Sequence, residues 1–220
     1  MTTIDREELV ATATREIRGS TTGHLSLRTR DHMWTAMGPY GETAKGEVTI
    51  GLRRRVSLMH ACASRALPIW QSDSQRAGKA LVNEQDEPTK VLELVASYLN
   101  GSSTLAEVRT TANRFGTLLQ YMYEIETEYP GAVLVLHAMA SLLSCAVRDV
   151  GQYEEGDSDE LLDGWDTDMY ACWAEVGAPP WKDGSAAHVA MRAEFWLWYA
   201  ERAYSNAWDR PIGMPGDLQK

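Results

Sequence analysis

Pro130-Gly131-Ala132-Val133-Leu134-Val135-Leu136-His137-Ala138-Met139-Ala140-Ser141-Leu142-Leu143-Ser144-Cys145-Ala146-Val147 carries no Asp, Glu, Lys or Arg. Its apolar residues do not keep to one stripe. A helix that is apolar nearly all round is a buried one, so the sequence predicts a central helix over 131–150, opened by Pro130. His137, Ser141 and Ser144 interrupt the run from Ala132 to Val147, which falls short of a membrane span. A central helix needs other helices around it, and almost every other periodic stretch has helical spacing.

Working outward, Asp5 to Ile17 reads as a first helix ending near Gly19, and Ser26 to Met37 as a second, short one. They lie beside a glycine-rich irregular segment, residues 38–51. Glu47 to Ile50 has strand propensity but is too short to build a sheet. Leu52 to Leu67 is the next helix, with a stop expected at Pro68, since proline disfavours helix in the residue before it. Pro88 suits a first helical position for Pro88 to Leu99, and Gly101 suits its end. Thr104 with Glu107 forms a capping box. Behind it Leu105, Ala112 and Leu119 repeat every seven residues, as do Val108, Phe115 and Met122, a seam for packing on another helix. Leu161 to Val176 and Ala186 to about Trp208, the latter capped by Ser185, complete the set. Together these predict an all-α fold, a single compact bundle of seven or eight helices over residues 1–220, with a seam at 151–158 between its halves.

The chain has 220 residues, 21 Lys and Arg against 31 Asp and Glu, and a formal charge of −10. That balance disfavours nucleic acid and anionic membrane as partners, because both require a positive field. The three cysteines, Cys62, Cys145 and Cys172, are widely spaced and read as small buried hydrophobes rather than zinc ligands or a disulfide. The N-terminal residues lack the apolar core of a signal peptide, so the expectation is a soluble cytoplasmic protein.

Catalytic signatures are missing from the sequence. There is no GxSxG elbow, no SxxK, no phosphate loop and no Glu-x-x-His pair. His24, His32, His60, His137 and His188 show no metal spacing, and neither metal nor cofactor is expected. His60 and His137 read as satisfied core histidines. His60-Ala61-Cys62-Ala63-Ser64 has an echo in His137-Ala138-Met139-Ala140-Ser141, of a length that chance produces in alanine-rich helices.

Eight tryptophans and nine tyrosines are present, and they crowd the last third of the chain. Arg192, Trp196 and Tyr199 share one helical face, with Trp173 and Trp181 nearby in sequence. This group reads either as an aromatic core clamp or as a pocket for a ligand or a partner's side chain. Acids form the second feature. Glu154, Glu155, Asp157, Asp159 and Glu160 make an acidic loop and helix start, and Asp159, Asp163 and Asp166 fall on one face. Asp168 points elsewhere. Such a stripe is ordinarily a solvated face, and it would also suit a basic partner or a divalent cation.

The segment Cys62-Ala63-Ser64-Arg65-Ala66-Leu67-Pro68-Ile69-Trp70, followed by Val91 to Gly101 and by Leu105-Ala106-Glu107-Val108-Arg109, resembles the helical immunity proteins of bacterial polymorphic toxin systems, their fifth family and its relatives. The ending Arg192-Ala193-Glu194-Phe195-Trp196-Leu197-Trp198-Tyr199 is similar to that group's closing helix. The resemblance implies an all-α fold and a protein that binds and silences a cognate toxin, and it supplies no catalytic residues. It places Arg192, Trp196 and Trp198 in a shared structural or binding feature.

Two functions follow as expectations. In the first, the acids Glu154, Glu155, Asp157, Asp159, Glu160 and Asp163 meet a basic toxin, such as a nuclease, and speed its capture. In the second, the chain is an enzyme of specialised metabolism that binds a small molecule, such as a cation, between the last helices against Trp173, Trp181, Arg192, Trp196 and Tyr199. A buried Asp166 or Asp168 would there act as general acid or base.

Overall fold

The computed structural model describes residues 5–41, 47–77, 87–122, 129–149, 166–177 and 185–213. In chain order its helices are α1 (Arg6–Gly19), α2 (Leu27–Ala36), α3 (Ile50–Ala77), α4 (Glu87–Leu99), α5 (Leu105–Met122), α6 (Pro130–Val147), α7 (Thr167–Val176), α8 (Ala186–Trp198) and α9 (Tyr204–Asp209). A single π-helical turn, Tyr199–Ala203, joins the last two. The chain is all-α, with no strand among the described residues. The acidic loop, the proposed seam at 151–158 and Trp181 lie outside the described residues.

α6 is the hub of the bundle and packs against α3, α4, α5 and α7. Ten of its residues are buried, from Gly131 to Ala146. Its apolarity is therefore that of a core helix, although its length would also suffice to cross a bilayer. The seven-residue seam on α5 does its expected work, with Val108 and Phe115 fully buried. Thr104 and Glu107 close the capping box at its start, since the Thr104 N–H donates to Glu107 Oε2 at 2.6 Å and the Glu107 N–H donates to Thr104 Oγ1 at 3.3 Å.

Pro68 does not stop its helix. α3 runs through it to Ala77, because the turns beyond it have tertiary work that outweighs the local preference. Trp70 is fully buried, and Asp73 accepts the Ala132 N–H at 3.1 Å. A carboxylate from α3 thus satisfies an orphan donor at the start of α6, where negative charge also suits the dipole. Residues 47–49 are irregular, and Ile50 already begins α3. The last long helix is likewise not uniform. Its π turn adds one residue per turn, and Tyr199, Ala200, Ala203 and Tyr204 all face inward there. The Tyr204 hydroxyl donates to the Met33 carbonyl at 3.0 Å.

Three consecutive arginines on α3 tie the irregular segments down. Arg53 donates to the carbonyls of Leu99 and Gly213. Arg54 donates to those of Met37 and Trp208, both at 3.1 Å, and lies over the Trp208 ring. Arg55 grips Asp149 with two bonds of 2.7 and 2.8 Å, and donates to Gly38 and Pro39 as well. The Gly41 N–H completes this clamp by donating to Asp149 Oδ2 at 2.6 Å. Gly51 is required beneath it: a Cβ there would sit 2.3 Å from the Pro39 carbonyl oxygen.

Candidate functional site

A buried polar corner forms where α2, α7 and α8 meet. Ser26 caps α2 by accepting the Thr29 N–H at 3.3 Å, and the helix then buries Arg30, Met33 and Trp34 at steps of three and one. α7 begins at Asp166, whose backbone is extended and whose side chain makes no cap bond to the helix. Two residues on, Asp168 is fully buried and accepts from Arg30 Nη1 at 3.1 Å. The same Asp168 oxygen accepts the Met169 N–H at 2.8 Å. The Arg30 guanidinium lies 5.3 Å from the centre of the Trp196 ring, and Trp196 meets Tyr199 edge to face at 5.2 Å. Arginine suits this place because its flat cation stacks on an aromatic face while its edge bonds a carboxylate.

The electrostatics of the corner are unbalanced. Two carboxyls, Asp166 and Asp168, share the single cation Arg30. Burial, reinforced by the charge of Asp168, raises the Asp166 carboxyl to about 7, and Arg30 opposes the rise only in part. Burial and Asp168 also push the Tyr199 phenol up. The thiols of Cys62, Cys145 and Cys172 are raised by burial, so all three stay protonated and unreactive. Arg30 Nε, Asp166 Oδ2, Thr167 Oγ1, Asp168 Oδ2, Trp196 Nε1 and the Tyr199 hydroxyl are buried without a hydrogen-bond partner among the described residues. Buried polar atoms in native proteins are nearly always paired, so this corner is the least satisfied part of the interior.

Trp173, Trp196 and Tyr199 are all fully buried, and Arg192 nearly so. Arg192 Nε donates to the Thr22 carbonyl at 2.9 Å, which holds the α1–α2 connection against α8. Gly23 in that connection has a φ of +73°, and a Cβ on it would meet the Val189 carbonyl oxygen at 2.3 Å. Trp173 meets Tyr170 edge to face, and Tyr170 stacks on His137 at 4.8 Å. His60 bonds the Leu92 carbonyl oxygen at 3.2 Å and Ser64 through its other nitrogen at 3.3 Å, and burial lowers its affinity for a proton. The acids Glu154, Glu155, Asp157, Asp159, Glu160 and Asp163 lie outside the described residues.

A second cluster, half-buried, was not anticipated from sequence. Arg65 donates to Glu175 at 2.6 Å and covers both Trp198, at 4.5 Å, and Phe195, at 5.3 Å. It joins the alanine-rich segment of α3 to the Phe-Trp-x-Trp run of α8, the two stretches that carry the family resemblance. The signal was there, an arginine facing an aromatic run, but pairing them needs the fold.

Residues 10–206 match the family described as Immunity protein Imm5. The chain belongs to the Imm5 family. That match covers every helix of the bundle except the first turn of α1 and the end of α9. It therefore includes both arginine–aromatic clusters, the buried one at Arg30 and the half-buried one at Arg65. No curated protein matches the chain. Membership of Imm5 supports a toxin-neutralising immunity role.

Proposed function

We propose that this Imm5 protein neutralises a basic toxin, such as a nuclease, in the cytoplasm by capturing it on the acidic stretch Glu154, Glu155, Asp157, Asp159, Glu160 and Asp163. The observation that carries the reading is the family match together with the formal charge of −10. An acidic patch of this density steers a cationic partner and raises its association rate while salt is low. The test is the association rate between the toxin that co-purifies with this protein from its host and a variant in which Glu154, Glu155, Asp157 and Asp159 are changed to lysine. A fall of about tenfold or more, with the salt dependence flattened or inverted, supports the assignment. An unchanged rate sinks it.

The small-molecule reading has one observation in its favour, the proton that Asp166 keeps near neutral pH beside buried aromatic rings. It stands second because Asp168 is already engaged by Arg30, and Trp173, Trp196 and Tyr199 are closed off from the surface. A small cationic ligand that raises the melting temperature of the wild type but not of Trp196→Leu would move it to first place.

A further inference from the structure

The buried corner at Arg30 has more acid than base, and this has a mechanical consequence for α7. Asp166 holds the position where a short polar side chain ordinarily caps a helix, yet it makes no such bond and its Oδ2 is buried without a partner. Asp168 uses one oxygen for both Arg30 and the Met169 N–H, and its other oxygen is likewise unpartnered. Arg30 contributes a single bond to Asp168 and leaves its Nε unused. Two anions against one singly bonded cation, out of water, are less stable than one anion and one neutral acid.

We propose that the first turn of α7 is a proton-linked latch, in which Asp166 keeps a proton beside Asp168 and Arg30 and releases α7 from α2 and α8 when that proton is lost.

The groups whose charges reach this pair are Arg30 on α2, Cys62 on α3, Cys145 on α6, Cys172 on α7 and Tyr199 in the π turn. Beside them, His137 on α6 stacks on Tyr170, and Glu175 and Arg192 act on Cys172. Burial keeps the three thiols and the phenol neutral through the physiological range. Glu175 is taken up by Arg65, and Arg192 by the Thr22 carbonyl. The carboxyl proton that moves between pH 5 and 8 in this corner is therefore the one on Asp166. The folded state binds that proton more tightly than the unfolded chain does. Stability is accordingly highest below the ordinary carboxyl range and falls as pH rises towards the raised value of Asp166, near 7. The latch does not depend on the toxin reading, since it concerns the protein alone.

The experiment is amide hydrogen exchange on the whole chain, wild type against Asp166→Asn, between pH 5.5 and 8. The reporter is the Tyr170 N–H, which donates to the Asp166 carbonyl at 3.0 Å. The ratio of wild-type to variant exchange at Tyr170 should rise by roughly tenfold or more across that range, because the amide cannot ionise. A ratio that stays constant overturns the latch. Carbon-13 titration of the wild-type carboxyls gives a second reading that needs no variant. A midpoint above about pH 6 for Asp166 agrees with the latch, and a midpoint below that value refutes it.

Discussion

Two buried arginine–aspartate pairs stand in the same bundle, and they are built differently. At Arg55 and Asp149 every strong group is used. The guanidinium makes two bonds to the carboxylate and two to backbone carbonyls, and the carboxylate also takes the Gly41 N–H. At Arg30 and Asp168 a single side-chain bond of 3.1 Å joins the pair, polar atoms are left over, and a second acid stands beside them. A buried pair repays its desolvation only when its remaining lone pairs and protons are satisfied. Arg55 meets that condition and works as a structural rivet. Arg30 does not, so its corner responds to a change in protonation.

Removing the acid from each pair separates the two most strongly. Asp149→Ala strands a fully buried arginine and unties Gly41, and should cost about 3–5 kcal/mol by urea denaturation at pH 7. Asp168→Asn leaves Arg30 with Asp166 as a substitute anion, so its cost should be nearer 1–3 kcal/mol. If Asp168→Asn proved the more damaging, the contrast between rivet and switch would collapse.

The comparison can be sharpened through pH. His60 is buried, and its proton affinity is lowered by desolvation. A histidine held neutral by the fold contributes stability above its unfolded value of about 6.5, and that contribution is lost as pH falls below it. Asp166 has the opposite sign, losing stability as pH rises towards 7. Between pH 5 and 7 the two slopes therefore oppose each other, and wild type should look nearly flat. His60→Gln should expose a falling midpoint with rising pH, and Asp166→Asn a rising one. Identical slopes in the two variants would show that neither group governs the window.

How far the sequence reaches follows from the same contrast. The fold was readable because it rests on periodicity and caps. The charge-free run after Pro130, the seam of Val108 and Phe115, and the caps at Thr104 and Ser185 all behave as local rules require. Pro68 misled because a local preference was outweighed by Trp70 and Asp73, whose partners lie in α6 and elsewhere in the core. The site was less accessible. Asp168 and the residues Arg192, Trp196 and Tyr199 stand out by composition. Arg30 does not, because its partner is 138 residues away. Arg55 and Asp149 were invisible for the same reason, and so was the cover that Arg65 gives Trp198.

The smallest expected effect isolates what is special about Asp166 from what any helix start requires. Ser185 holds the matching position before α8, also with an extended backbone, and its hydroxyl accepts the His188 N–H at 3.3 Å. It faces solvent and carries no charge, so it is an ordinary cap. Ser185→Ala should cost about 1 kcal/mol, the usual value of such a bond, and the cost should be the same at pH 5.5 and pH 8. Asp166 occupies the equivalent place at α7 but turns its carboxyl inward, away from the N–H groups it would otherwise bond. Its replacement by asparagine should therefore already stabilise at pH 5.5, where the unfolded chain has lost the proton that the folded one keeps, and stabilise more at pH 8, where it also removes an anion from the interior. A cap that costs the same at every pH, set against one whose removal grows more favourable as pH rises, is the signature that distinguishes a helix start serving the fold from one serving a switch.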